Sequence, residues 1–202
     1  MSAHDTRINV ITISRELGSL GLEIARAVSE QLGFRLVWRE YINQAASRAG
    51  APETALEAMD ELGLLGVSTS LKSRRAYQKA VHQVIEELAK EGNVIIVGRA
   101  GQAILRGYRN VLHVRITAPL QTRIGRVAHF YQINPDCAQA QVEASDRFRR
   151  DYLRRNYKSR WDNPHLYDIV LNTEHLSVAE ATQIICLACT IPLKPQADSV
   201  PS

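Results

Sequence analysis

Five short runs of apolar, largely β-branched residues, separated by stretches of helical period, limit what this chain can fold into. Residues 8–13, 34–38, 94–97, 111–116 and 169–172 read as strands. The run Val94-Ile95-Ile96-Val97 is apolar on both faces, as in a parallel sheet covered by helices. Between the runs, residues 22–32 put Ile24, Ala27, Val28 and Leu32 on one helical face, and Gly33 ends the pattern. Residues 73–90 do the same with Tyr77, Val81, Ile85 and Leu88, with Gly92 as the stop. Ala118-Pro119 opens a further helix through Ile124 and Val127, proline fitting its first turn. Ser177-Val178-Ala179-Glu180 is a capping box for a last helix reaching about residue 190. Strand–helix alternation of this kind predicts an α/β domain of three layers around a five-stranded parallel sheet.

The organisation follows from the same pattern. One domain is expected over residues 8–190, with a helical insertion at about 40–92 and a polar, proline-containing tail at 191–202. At 202 residues, 45% hydrophobic and 23% charged, the chain has the balance of an ordinary globular protein. Its apolar runs are far shorter than the ~20 residues of a membrane span. Met1-Ser2-Ala3-His4-Asp5 lacks the basic-then-apolar pattern of a signal peptide. Three cysteines form a poor disulfide framework. Cys186-Leu187-Ala188-Cys189 has ligand spacing but lies in an apolar helix with no second pair, so buried thiols are expected rather than a metal site. A cytoplasmic chain is therefore expected, and a secreted mini-scaffold, a membrane protein and a disordered chain are excluded.

The formal net charge of +4 is unevenly placed. Residues 147–160 hold seven basic side chains against Asp151 alone, a local charge of +6, which leaves −2 for the remainder. An anionic partner is expected at that segment.

In an open parallel sheet, ligands bind beyond the carboxyl ends of the strands. Three polar features fall there. Ser14-Arg15-Glu16-Leu17-Gly18-Ser19-Leu20-Gly21 joins the first strand to its helix, the order of a phosphate cradle, although the Walker sequence G-x-x-x-x-G-K-[ST] is absent. The competing reading is a glycine turn needed only for tight packing. Gly98-Arg99-Ala100-Gly101 presents an arginine at a strand end, placed either to fork onto a phosphate or to pair with a nearby acid. In the basic segment Arg147, Arg150 and Arg154 fall on one side of a helix at i, i+3 and i+7. That stripe suits transferred phosphate, a nucleic-acid backbone with Phe148, Tyr152 and Tyr157 interleaved, or simply a solvated face. Asn172 and Thr173, ending the last strand, suit either a nucleotide base or a turn cap.

Several of these stretches together resemble the cytidylate kinase-like family, a branch of the P-loop nucleoside monophosphate kinases. The resemblance lies in Ile13-Ser14-Arg15-Glu16 with Gly18-Ser19, Gly21 and Glu23-Ile24-Ala25, then Val97-Gly98-Arg99-Ala100-Gly101. It continues through Asn110 to Ile116 with Ala118-Pro119-Leu120 and Arg123, and ends in Tyr167-Asp168-Ile169-Val170-Leu171-Asn172-Thr173. It implies a P-loop fold with a nucleoside monophosphate-binding insertion and an arginine-bearing lid at about 134–164. The implied reaction moves the ATP γ-phosphate to CMP or a related monophosphate, with Mg²⁺ carried mainly by ATP and water. By the resemblance, Gly18, Ser19 and Gly21 cradle ATP phosphates, Arg99 holds the acceptor phosphate, and arginines within residues 147–155 stabilise the transferring group, with Arg147 and Arg150 as the candidates singled out.

The chain also departs from the family pattern. Laid without gaps on an ordinary cytidylate kinase loop, the lysine position falls on Gly21 and the magnesium-ligating hydroxyl on Glu23. Leu22 stands where the kinase-like branch usually has arginine, Leu20 where it has glycine, and Trp38 where aspartate is common. Leu20 is expected to obstruct phosphate approach, and Arg15 to replace the missing cation. The expected function is a phosphotransferase acting on ATP and a nucleoside monophosphate. The alternatives are a catalytically impaired nucleotide-binding protein and, third, nucleic-acid binding through residues 147–160.

Overall fold

A computed structural model describes residues 7–48, 50 and 71–191. The strands are β1 (Val10–Arg15), β2 (Arg35–Val37), β3 (Val94–Val97), β4 (Val111–Thr117) and β5 (Ile169–Asn172). The helices are α1 (Gly21–Leu32), α2 (Arg39–Arg48), α3 (Leu71–Glu91), α4 (Gly101–Ile104), α5 (Leu120–Tyr131), α6 (Pro135–Tyr157) and α7 (Val178–Thr190). The strands form one sheet in the order β2-β3-β1-β4-β5 with every pairing parallel. Residues 49 and 51–70, within the expected insertion, and the tail from 192 onward lie outside the described residues.

Strand periodicity divides the core into two layers. Ile11, Ile13, Ile95, Val97, Val114 and Ile116 face α1 and α7, burying Ile24, Ala25, Val28, Ala181 and Ile185. Val10, Val94, Ile96 and Val111 face the other way, onto Tyr77, Val81, Ile85 and Leu88 of α3 and Ile42 and Ala46 of α2. Helix ends obey local chemistry: Gly33 closes α1 in a left-handed conformation, and the Asn134 side chain accepts from Cys137 N at 2.8 Å, with Pro135 in the first turn of α6. The Ser177–Glu180 capping box is formed at α7.

The order places β1 beside β3, and their connections leave on opposite faces. The chain after β1 enters α1 in one layer. Beyond β3 it enters α4, where Gly101 lies against Thr12 and Ile96 in the other layer. This is a topological switch point, which opens a crevice beyond the strand ends.

Candidate functional site: an arginine-lined cleft at the β1–β3 switch point

The cleft at this switch point is lined by Ser14 and Arg15 from β1, Gly98, Arg99 and Ala100 from the turn after β3, and Arg39 from α2. Phe148, Arg149, Tyr152 and Leu153 of α6, with Trp161 beyond it, close the other side. Four arginines therefore converge, and no carboxylate stands among the described lining residues. Such a surface favours an anion.

Arg99 is placed by an unusual backbone. Gly98, Arg99 and Ala100 are successively left-handed, with φ of 81°, 51° and 56°. The turn buries Arg99, whose Nη2 donates to Asn43 Oδ1 at 2.9 Å and whose guanidinium lies 5.8 Å from the Tyr77 ring. On the facing helix, burial pushes the phenols of Tyr152 and Tyr157 well above their ordinary value. Tyr152 therefore meets the cleft as a neutral group. Trp161 is pinned to the sheet: its Nε1 donates to Ser14 Oγ at 2.8 Å, its carbonyl accepts from the Tyr167 hydroxyl at 2.8 Å and from Arg115 Nη1, and the Arg115 guanidinium stacks 4.4 Å from its ring.

The loop between β1 and α1 is held from behind. Ser19 Oγ donates to Glu16 O at 2.8 Å, Arg126 Nη1 donates to Gly18 O at 3.3 Å, and Thr173 Oγ1 donates to Ser19 O at 3.0 Å. No described peptide bond is cis, so the bound Ser19 carbonyl directs the Leu20 N–H the opposite way. Glu16 is tied down by Arg115 Nη2 at 3.1 Å, Arg123 Nε at 3.3 Å and the Ala118 N–H at 3.2 Å. Arg123 in turn grips Asp146 of α6 through two hydrogen bonds of 3.2 and 2.9 Å. The loop, α5 and α6 thus share one buried ionic network.

The residues singled out from sequence separate in space. Arg15 and Arg99 line the cleft. Gly18, Ser19 and Gly21 form the adjoining turn at the N-terminus of α1, outside that lining. A Cβ on Gly18 would come within 2.7 Å of Arg123 O, so close packing by itself requires glycine there. Arg147 and Arg150 stand on the exposed side of α6, Arg147 at 3.7 Å from Glu143. The arginine of α6 that enters the cleft is Arg149, one residue off the Arg147–Arg150–Arg154 stripe but within the 147–155 run that the resemblance implies. The sequence carried a signal for it: Arg149 shares a face with Tyr152 and Leu153, and the apolar face of a helix is the one that turns inward.

Leu20 is not among the residues that line the cleft. It takes a left-handed conformation, φ 62°, and packs against the core on the α1 side. Trp38 stands apart, half-exposed, with the Arg26 guanidinium 5.5 Å from its ring. Thr173 holds the loop, while the Asn172 side chain accepts from the Glu174 N–H at 3.0 Å. Arg39 and Trp161, and the supports Glu16, Arg115, Arg123, Asp146 and Arg126, were not singled out as a site, and Arg149 only as one of the 147–155 arginines, because their partners lie on distant segments.

Among the described lining residues there is no carboxylate for a protein-held magnesium ion, and the hydroxyls of Ser14 and Ser19 are already engaged with Trp161 and Glu16. Among the described residues no group of three or more His, Cys, Asp or Glu is placed to hold a metal, and no helix is long and apolar enough to cross a membrane. Cys186 is buried and Cys189 half-buried; burial pushes both thiols up, Cys189 to about 11.

The model of the cytidylate kinase-like family matches residues 10–175. The chain belongs to the cytidylate kinase-like family. It is 27% identical over 175 residues to a cytidylate kinase of Pyrobaculum calidifontis, covering 87% of this chain and 89% of the relative. A cytidylate kinase of Pyrobaculum aerophilum is 29% identical over 177 residues, with the same coverage. Among solved structures, an uncharacterized protein from Eubacterium ventriosum superposes with a TM-score of 0.72 at 21% identity, covering 89% of this chain and 97% of the other. A gluconokinase from Sinorhizobium meliloti gives 0.53 at 15% identity, covering 91% and 93%. The shikimate kinase from Acinetobacter baumannii gives 0.51 at 14%, covering 90% and 93%. The structural likenesses establish a P-loop kinase fold, and the family is one of kinase-like, nucleotide-binding phosphotransferases.

Proposed function

We propose that this chain is a nucleoside monophosphate kinase, transferring the γ-phosphoryl group of ATP to CMP or a closely related monophosphate in the cytoplasm. The observation that carries this reading is the convergence of Arg15, Arg39, Arg99 and Arg149 on one cleft at the switch point. A hydroxyl acceptor, such as a sugar or shikimate, has to lose a proton, and a positioned base assists that loss. A phosphate acceptor is already an ionised oxygen nucleophile at neutral pH, and what it needs is charge neutralisation. The convergent arginines provide that.

In the step itself, an oxygen of the acceptor phosphate attacks the γ-phosphorus. The new O–P bond forms as the bond to the β,γ-bridging oxygen breaks, and that electron pair leaves with ADP. No proton transfer is required. The donor phosphates lie against the loop and the N-terminus of α1, a twelve-residue helix whose dipole favours anions. Arg99 and Arg39 hold the acceptor phosphate, and Arg15 and Arg149 meet the charge that spreads over the transferring group. Magnesium arrives with the nucleotide.

A specific observation favours a second reading, nucleotide binding without transfer: Gly21 and Glu23 stand at the positions of the usual lysine and magnesium-ligating hydroxyl. The nucleic-acid reading has less support. Tyr152 and Tyr157 pack inward, and Arg147, Arg154, Arg155 and Arg160 pair with Glu143, Asp151 and Asp162. A coupled ADP-release assay with Mg·ATP against CMP, dCMP, UMP, AMP, GMP, gluconate and shikimate tests the proposal. The expected outcome is turnover of about 1–100 s⁻¹ that depends on a pyrimidine monophosphate. Calorimetric ATP binding without turnover would establish the second reading, and turnover on a hydroxyl acceptor alone would overturn the first.

A further inference from the structure

Two positions in the loop compete for one volume. A Cβ on Gly21 would lie 2.4 Å from Cβ and 2.9 Å from Cγ of Arg15. Non-bonded carbons settle at about 3.5–4.0 Å, so in this backbone only one of positions 15 and 21 can carry a side chain. A Walker loop has glycine at its first position and lysine at its sixth residue after that. Laid without gaps on this chain, that glycine falls on Arg15 and that lysine on Gly21. The residue with a side chain and the residue without one have changed places.

The exchange keeps a cation in the loop but alters its route. The Arg15 side chain passes over Gly21, and its Nη1 lies 3.1 Å from where a Cβ on Gly98 would be, in the turn that carries Arg99. The guanidinium therefore reaches from the loop to the Arg99 turn across the floor of the cleft. A Walker lysine rises from the first turn of the helix; this cation comes from the end of β1. Arginine adds a planar fork of donors where lysine offers a point charge.

The geometry points to a transposed P-loop, in which Arg15 holds the terminal phosphates of the nucleotide donor and Gly21 is glycine to admit that side chain. The identity of the ligand rests on the kinase reading; the mutual exclusion of the two side chains does not.

Four proteins test it: wild type, Arg15→Gly, Gly21→Lys and the double variant Arg15→Gly/Gly21→Lys. Each is unfolded in urea, titrated calorimetrically with inorganic tripolyphosphate and with ATP, and assayed for kcat and KM. Arg15→Gly is expected to lose at least about ten-fold in tripolyphosphate affinity and about 10²-fold in kcat. Gly21→Lys is expected to unfold at lower urea, and the double variant to recover both stability and tripolyphosphate binding. Arg15→Gly binding tripolyphosphate as wild type does, or a double variant no more stable than Gly21→Lys, would overturn the transposition. A wild type that binds both anions without phosphorylating a monophosphate sinks the kinase reading and leaves the transposed loop standing if the variants behave as stated. Wild-type turnover with unchanged kcat and KM for ATP in Arg15→Gly does the reverse.

Discussion

Arg99 and Ala100 hold left-handed backbone that ordinary side chains avoid, at a cost of roughly 1–2 kcal/mol each. Strain of this size persists where surrounding contacts over-determine it, and here it turns the Arg99 side chain onto Asn43 and Tyr77 at the cleft wall. Substitution separates the arginines by where their side chains end. Arg99→Ala is expected to raise KM for the monophosphate about ten-fold or more while leaving KM for ATP within about two-fold. Arg149→Ala is expected to lower kcat by about 10²–10³, the usual loss for one preorganised donor. Arg147→Ala and Arg150→Ala, on the exposed side of α6, are expected to stay within about three-fold of wild type in steady-state assays at saturating ATP. The loop glycines read differently once packed. Gly18 makes room for the backbone of α5 and Gly21 for Arg15, so neither residue's identity depends on phosphate approach alone.

At the scale of elements, α6 is long, its 23 residues spanning about 34 Å, and two of its contacts bear on the cleft and the loop beside it. Near its middle, Asp146 binds Arg123, which also reaches Glu16 of the loop. Further along, Tyr152 and Leu153 pack with Ala100 and Trp161 against the Arg99 turn. One helix is therefore tied to both the β1–α1 loop and the Arg99 turn. Both partners of the Arg123–Asp146 pair are nearly inaccessible, with side-chain exposures of 6% and 10%. Removing one would leave a buried charge without its counterion. Asp146→Ala is expected to lower the free energy of unfolding by about 3–5 kcal/mol, measured by urea titration. The exposed pair Arg154–Asp151 is expected to contribute under about 1 kcal/mol in the same experiment. The helix itself was legible in the sequence through Asn134-Pro135 and its period; the network was not, since Glu16, Arg123 and Asp146 show no common spacing.

For the molecule as a whole, the parallel sheet carries a titrating group through its centre. His113 of β4 is buried, its Nδ1 2.7 Å from Thr12 Oγ1, and its backbone N–H donates to Asp168 Oδ2 at 2.7 Å. Burial lowers its pKa from the ordinary 6.5, with the Asp168 carboxylate opposing part of that shift. Between the lowered value and 6.5 the unfolded chain binds the proton that the folded chain refuses. The stability contributed by neutral His113 is therefore complete above pH 6.5 and is lost as pH falls toward the folded value. Urea midpoints are expected to fall between about pH 7.5 and about pH 5.5, and His113→Gln is expected to flatten that dependence. An equal slope in the variant would assign the acid sensitivity to other groups.

The five apolar runs, the helical periods and the caps determined the α/β class, because burial on both faces and local hydrogen bonding act over a few residues at a time. Ile13-Ser14-Arg15-Glu16 and its companions carried the family for the same reason: a motif is contiguous. Which arginine of the basic helix enters the cleft, where the Leu20 side chain packs and why Gly21 has no room for a side chain were decided only by the tertiary structure. Those answers depend on the volume left between packed groups, whether near in the chain, as Arg15 and Gly21 are, or far apart, as Gly18 and Arg123 are, and on which face of α6 packs inward. Residue order fixes the composition of such contacts but not the space they share.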